Sequence, residues 1–266
     1  MHTNTWKSAA QTDVGTVRKV NEDSFLNAPE VKLWCVADGM GGHAKGDVAS
    51  QMIVDYLQNL VKPGRHPLSI TQIEECLLAV NQRLFNMSVD QESIIGSTVV
   101  VLILDEQRAH CIWAGDSRIY RLRQNRLTRL TRDHSQVEDM VQAGMLTPEE
   151  AENHPNANVI TRAVGASDEL ELEVVSDILH PDDKFFLCSD GLNKVMEDGE
   201  IERALISMPL DSVTQTLIDT SLERKARDNV TVVVVNNHHR MDDTQPSIRP
   251  MTHAQNLDDT LPLNNR

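Results

Sequence analysis

Short, continuous apolar runs punctuate this chain, separated by polar segments rich in Asp, Gly and Asn. Residues 31–37 (VKLWCVA), 98–104 (TVVVLIL), 109–115 (AHCIWAG), 184–189 (KFFLCS) and 230–235 (VTVVVV) are β-branched or aromatic and of strand length, so each predicts a buried strand. Between them the apolar period lengthens to that of a helix. Ala49, Met52, Ile53, Tyr56, Leu57 and Leu60 fall on one helical face, and Ile73, Cys76, Leu77, Val80 and Leu84 on another. The second of these helices is read as opening on a capping box of Thr71 with Glu74. Residues 197–207 and 211–226 predict two further helices.

The strands come in clusters and do not alternate strictly with helices, which favours sheets stacked on each other and flanked by helices over a doubly wound parallel fold. Residues 132–163 interrupt the pattern as an inserted flap. In it one short helix ends at Gly144, and a second start at Thr147-Pro148-Glu149-Glu150 places Thr at the cap and Pro in the first turn. Beyond Asn236 the periodicity fades into Pro, Asp, Asn and Thr. The expected organisation is one domain over residues 1–237 and a flexible polar tail over 238–266.

Composition narrows the class. Of 266 residues, 40% are apolar and 24% charged, as in ordinary globular chains, while only 3% are aromatic, so the core must be mainly aliphatic. A formal charge of −15 without a Lys/Arg stripe argues against nucleic acid and anionic membrane as partners. The N-terminus lacks the apolar stretch of a signal peptide and the longest aliphatic runs are too short to cross a bilayer, so a cytoplasmic location is expected. Cys35, Cys76, Cys111 and Cys188 are widely spaced and read as small core residues.

Three of the predicted strands end in aspartate: Ala37-Asp38-Gly39, Gly115-Asp116 and Ser189-Asp190-Gly191. A fourth Asp, in Asp228-Asn229, leads into the last strand. One Asp-Gly after a strand is ordinarily a turn. Four at the ends of stacked strands would bring like charges together, which cations must neutralise. Carboxylate oxygens without a Cys or His pair at zinc spacing suit Mg²⁺ or Mn²⁺. Two such ions can activate water and clamp a phosphoryl group. Arg is the side chain best shaped to orient phosphate oxygens, and Arg18 stands just ahead of the acidic pair Glu22-Asp23. The glycine-rich stretch 39–46 lacks the Gly-Lys-Ser/Thr ending of a P-loop.

The order of the stretches Arg18-Lys19-Val20-Asn21-Glu22-Asp23, Asp38-Gly39-Met40-Gly41-Gly42-His43, Gly96-Ser97-Thr98, Gly115-Asp116-Ser117-Arg118, Ser189-Asp190-Gly191 and Asp228-Asn229-Val230-Thr231 resembles the metal-dependent protein phosphatases, the type 2C Ser/Thr phosphatases, in their small bacterial form. Leu130 to Ser135 and Ile160 to Gly165 also match, and the resemblance runs from about residue 5 to 236. It implies an α+β fold, a four-layer αββα sandwich of two central antiparallel sheets flanked by helices. It further implies that Asp38 bridges two Mn²⁺ or Mg²⁺ ions, that Asp190 and Asp228 complete the first site, and that the Gly39 carbonyl serves the second. By the same resemblance Arg18 binds phosphate, Glu22 or Asp23 holds metal-bound waters, and Asp116 with Asp190 makes a third ion site. Bacterial members carry a His where His43 stands, a candidate general acid because its titration lies near neutrality. His134 and His154 are read as structural.

The expected activity is hydrolysis of phosphoserine and phosphothreonine on proteins by direct attack of a metal-activated water, in a monomer that opposes a Ser/Thr protein kinase. The alternative is a non-catalytic phosphoprotein-binding scaffold of the same fold. Loss of a metal Asp would mark that scaffold, and Asp38, Asp190 and Asp228 are all present. A two-metal nuclease is disfavoured by the charge of −15.

Overall fold

The computed structural model describes residues 5–41, 45–61, 68–152 and 154–238. Strands β1 (Thr5–Asp13), β2 (Asp23–Ala28) and β3 (Leu33–Gly41) lead into helices α1 (Gly46–Leu60) and α2 (Ile70–Asp90). Strands β4 (Ile95–Ser97), β5 (Val99–Leu104), β6 (Arg108–Ala114), β7 (Arg118–Arg123) and β8 (Arg126–Arg129) follow. The short helices α3 (Gln136–Gln142) and α4 (Pro148–Glu152) occupy the flap, followed by β9 (Glu173–Ile178) and β10 (Lys184–Cys188). Helices α5 (Asp190–Asn193), α6 (Asp198–Ser207) and α7 (Leu210–Glu223) precede the last described strand, β11 (Val230–His238).

Two antiparallel sheets result. One has the order β1-β11-β10-β7-β8 and the other β2-β3-β5-β6-β9, with β4 also paired to β3. Period-two alternation of side chains then dictates the layers. On β3, Leu33, Cys35 and Ala37 face α1 and α2, while Trp34 and Val36 point into the space between the sheets. On β11, Val230, Val232 and Val234 face α6 and α7, while Val233 and Val235 meet Trp34 and Trp113 between the sheets. Each sheet is thus apolar on both faces, and the chain is a four-layer αββα sandwich. The helices complete it through Ile53 and Leu57 of α1 and Leu217 and Ile218 of α7, all buried, each contributing roughly 1.5–3 kcal/mol.

Three local expectations need correction. α2 is capped by Ser69, which accepts the Gln72 amide while the Gln72 side chain returns to the Ser69 amide; Thr71 lies inside the helix. Ser69 is in extended backbone ahead of the first turn, and so holds the capping position that Thr71 cannot. The strand expected over 31–37 starts at Leu33, because Pro29–Val31 form a 3₁₀ turn closed by Lys32 at φ 56°. It also runs on to Gly41, because Gly39, Met40 and Gly41 pair with Ser97, Gly96 and Ile95. Asp38 therefore sits within a strand and not in a turn that ends one. In the flap, the Thr147–Glu150 box forms in both directions. The four cysteines are free and buried. The tail beyond His238 lies outside the described residues.

Candidate functional site

Sheet register brings the acids together. β2 pairs with β3 so that Asp23 lies directly opposite Asp38, an arrangement of like charges that a sheet does not favour by itself. β10 delivers Asp190 into the first turn of α5, beside the start of β11, where Ser189 N donates to Thr231 O at 3.1 Å. Asp228 stands two residues before that strand, and Asp116 follows β6 after Gly115, whose φ of 113° suits glycine alone. Any Cβ on Gly115 would lie 2.5 Å from Thr98 Cβ.

The electrostatics record the crowding. Burial, followed by the charges of Asp23, Asp190, Asp116 and Asp228, holds the Asp38 carboxyl well above the usual range. Burial also pushes Asp23 up to about 7, against two hydroxyl hydrogen bonds that pull it down. Asp116 is pushed up to about 7 by burial and then by Asp190 and Asp133. Burial raises Asp190 as well, opposed first by Lys194.

Partners divide the oxygens into two kinds. Asp23 Oδ2 accepts from Ser189 Oγ and Thr231 Oγ1, both at 2.7 Å, and Thr231 is backed by Thr12, which takes a bond from Asn21. The Glu22 carboxylate accepts the Gly46 amide at 3.1 Å, and its carbonyl accepts the Gly39 amide. Glu22 thereby ties both ends of the glycine-rich loop. A Cβ on Gly39 would come within 2.0 Å of Gly46 O, so these glycines permit the close backbone approach. By contrast Asp23 Oδ1, Asp116 Oδ1 and Asp190 Oδ1 are buried without a hydrogen-bond partner. Unpartnered buried carboxylate oxygens are costly in a protein interior. Their all-oxygen chemistry fits a hard divalent cation. Among the described residues no three His, Cys, Asp or Glu side chains close around one point; Lys194 Nζ stands between two of the acids, 2.5 Å from Asp190 Oδ2 and 3.2 Å from Asp228 Oδ2.

The other sequence candidates fall as follows. Arg18 is half-exposed at the rim, its Nη2 2.8 Å from Asp228 Oδ1. His43 lies outside the described residues. His134 Nδ1 accepts the Gly115 amide, its ring stacks on Trp113, and His154 Nδ1 accepts the Asn156 amide, so both hold backbone. The sequence reading did not single out Asn229 alone, yet it organises the Arg18 segment: its amide donates to Val14 O and Val20 O and its Oδ1 accepts from Glu22 N. Lys194 and the Arg118–Asp133 pair, with 2.7 Å between Nη2 and Oδ2, were also missed. The i,i+4 spacing of Asp190 and Lys194 was the available signal for Lys194.

Carboxylates gathered at one edge of two facing antiparallel sheets, with only oxygen donors, are what a divalent-ion phosphate-ester hydrolase requires. The chain belongs to the protein phosphatase 2C family, the metal-dependent Ser/Thr protein phosphatases, whose family model matches residues 16–231. It is 36% identical over 239 residues to a putative protein phosphatase 2C-type protein of Streptococcus pyogenes, covering 87% of this chain and 97% of that one. Among solved structures it is similar to PppA, a regulatory component of T6SS in Pseudomonas aeruginosa, with a TM-score of 0.80, 42% identity, and 88% and 98% of the two chains covered. It is also similar to the catalytic domain of the Ser/Thr protein phosphatase PstP in complex with two manganese ions, with a TM-score of 0.79, 33% identity, and 87% and 97% covered. Its substrates are phosphorylated proteins. Among the described residues no helix is long and apolar enough to cross a membrane.

Proposed function

We propose that the carboxylate cluster is the centre at which this chain hydrolyses phosphoserine and phosphothreonine, with Asp38, Asp190, Asp228 and the Gly39 carbonyl holding two ions and Asp116 with Asp190 holding a third. The observation that carries this reading is the set of buried, unpartnered oxygens on Asp23, Asp116 and Asp190 beside Asp38, whose carboxyl is held well above the usual range by desolvation and by those same acids. When bound, Mn²⁺ or Mg²⁺ supplies the Lewis acidity that activates water and offsets charge on the phosphoryl oxygens.

The chain's own residues position and select. Arg18 turns from Asp228 to the phosphate, which its planar fork matches. Asn229 fixes the loop that carries Arg18, and Glu22 fixes the glycine loop that leads to His43, the candidate proton donor to the leaving alkoxide. Asp23 orders the two strands through Ser189 and Thr231, which supports a role in holding ordered water for the ions. Water attacks phosphorus directly, with no phosphoenzyme. The domain over residues 1–237 carries this activity, acting in the cytoplasm as a monomer opposite a Ser/Thr protein kinase.

The test is phosphate release from a phosphothreonine peptide in Mn²⁺, in Mg²⁺ and with a chelator. Release that stops with chelator and returns with added Mn²⁺ is expected. Equal release in chelator would overturn the metal-centre reading.

A further inference from the structure

We propose that Lys194 is a tethered counter-cation that competes with the divalent ion for the Asp190–Asp228 pair, stabilising the ion-free site and setting how tightly the ion is held. The inference rests on the metal-centre reading above and concerns what this chain places in that centre. Lys194 Nζ lies 2.5 Å from Asp190 Oδ2 and 3.2 Å from Asp228 Oδ2, so a single ammonium spans two carboxylates at one end of the paired strands, Asp190 just after β10 and Asp228 just before β11. It reaches them from the C-cap of α5, four residues after Asp190, so the backbone pins the base of a side chain that is 38% exposed. That exposure leaves the side chain a route to solvent.

Charge logic makes the two occupants exclusive. Asp228 is already fully engaged: Oδ1 is 2.8 Å from Arg18 Nη2 and also accepts the Asn229 amide, and Oδ2 faces Lys194. Asp190 offers one oxygen to Lys194 while its Oδ1 is buried without a partner. A divalent ion shared by Asp190 and Asp228 would stand where the ammonium now stands, and two cations at that spacing repel strongly in a partly desolvated site. Ion binding therefore entails withdrawal of Lys194 into solvent. Arg18 differs in that it touches Asp228 alone and sits at the rim, half-exposed.

Three measurements test this on the full chain. Calorimetric titration with Mn²⁺ should give a Kd at least fivefold lower for Lys194→Gln than for wild type, with Lys194→Arg within twofold of wild type. Thermal melts should show the stripped Lys194→Gln protein below wild type, with the two converging in saturating Mn²⁺. In wild type, reductive methylation read by mass spectrometry should label Lys194 several-fold faster with Mn²⁺ than with chelator, while the other lysines keep their rates. The labelling needs no variant to fold. A Lys194→Gln Kd equal to or weaker than wild type, or Lys194 labelling unchanged or slowed by Mn²⁺, would overturn the proposal while leaving the metal centre in place. A wild-type protein that takes up no Mn²⁺ in the calorimeter would overturn both.

Discussion

Replacing Asp23 with Asn should make the ion-free protein more stable at pH 8, although it alters the site. The carboxyl is buried, Oδ2 is held by Ser189 and Thr231 at 2.7 Å, and Oδ1 has no partner. An asparagine carbonyl in the Oδ2 position keeps both hydroxyl bonds. Its NH₂ then occupies the unpartnered position, near the carboxylates of Asp38 and Asp190 that now repel Asp23. Burial, moderated by those hydrogen bonds, moves the carboxyl from 3.8 to about 7 in the folded protein. The folded state therefore holds the proton more tightly than the unfolded chain, and stability falls as pH rises from about 4 through about 7.

Above that window the whole penalty is present, about 4 kcal/mol by the conversion of 1.36 kcal/mol per pKa unit. Because Asp38 and Asp190 crowd the same space and can take up a proton in place of Asp23, roughly 1–3 kcal/mol is the gain to expect at pH 8. At roughly 2–4 °C per kcal/mol for a domain of this size, the midpoint should rise about 2–12 °C. At pH 4, where the folded-state carboxyl is protonated and the unfolded one about half so, the gain should drop below about 1 kcal/mol. Thermal melts followed by circular dichroism on protein stripped of divalent ions, at pH 4 and pH 8, decide it. A variant that melts at or below wild type at pH 8, or one that gains equally at both pH values, would refute the reasoning.

Asp38→Asn should keep the far-ultraviolet spectrum and lose more than about nine-tenths of kcat on an aryl phosphate in saturating Mn²⁺, since ion charge and water activation depend on the carboxylate. Arg18→Ala should raise KM severalfold with little change in kcat, because a phosphate contact exists in ground and transition states alike; steady-state kinetics with phosphopeptide checks it. Asp116→Ala should slow phosphopeptide turnover while calorimetry shows the two tighter ions bound as in wild type, and loss of those ions would instead place Asp116 in the core of the centre.

Layer structure was legible where burial is two-sided. The runs that became β5, β10 and β11 are apolar on both faces because each lies between a helix layer and the opposite sheet, and such strands announce themselves by composition. β9, in contrast, reads EVVSDI and lies mostly exposed along the edge of its sheet, and β1 alternates weakly because it pairs only with β11 at an edge of the other sheet. Neither presents a run to find. Asp116 and Asp190 were legible as strand-end acids and Asp38 as an Asp-Gly pair although it lies within β3, whereas their division of labour was not. That Glu22 staples the glycine loop and Asp23 is held by two hydroxyls depends on partners distant in sequence, Gly46, Ser189 and Thr231.

That division follows from which oxygens the protein has already used. An oxygen that accepts protein hydrogen bonds is fixed and partly neutralised, which suits it to hold backbone or ordered water; Asp23 Oδ2 and the Glu22 carboxylate are of this kind. An oxygen buried with no donor has nothing to offset its charge and is stable only when the carboxyl is protonated or a cation stands against it; Asp23 Oδ1, Asp116 Oδ1 and Asp190 Oδ1 are of this kind. Mutual repulsion among the second group lowers the stability of the ion-free fold and favours ion capture by the same interaction. Lys194 and Arg18 limit both effects, because each lends a charge that must be withdrawn before Asp190 and Asp228 can give theirs to the ion. The stability of the stripped protein and the affinity of the centre are therefore opposed readings of one charge balance: removing an acid should raise the first and weaken the second, and removing Lys194 should do the reverse.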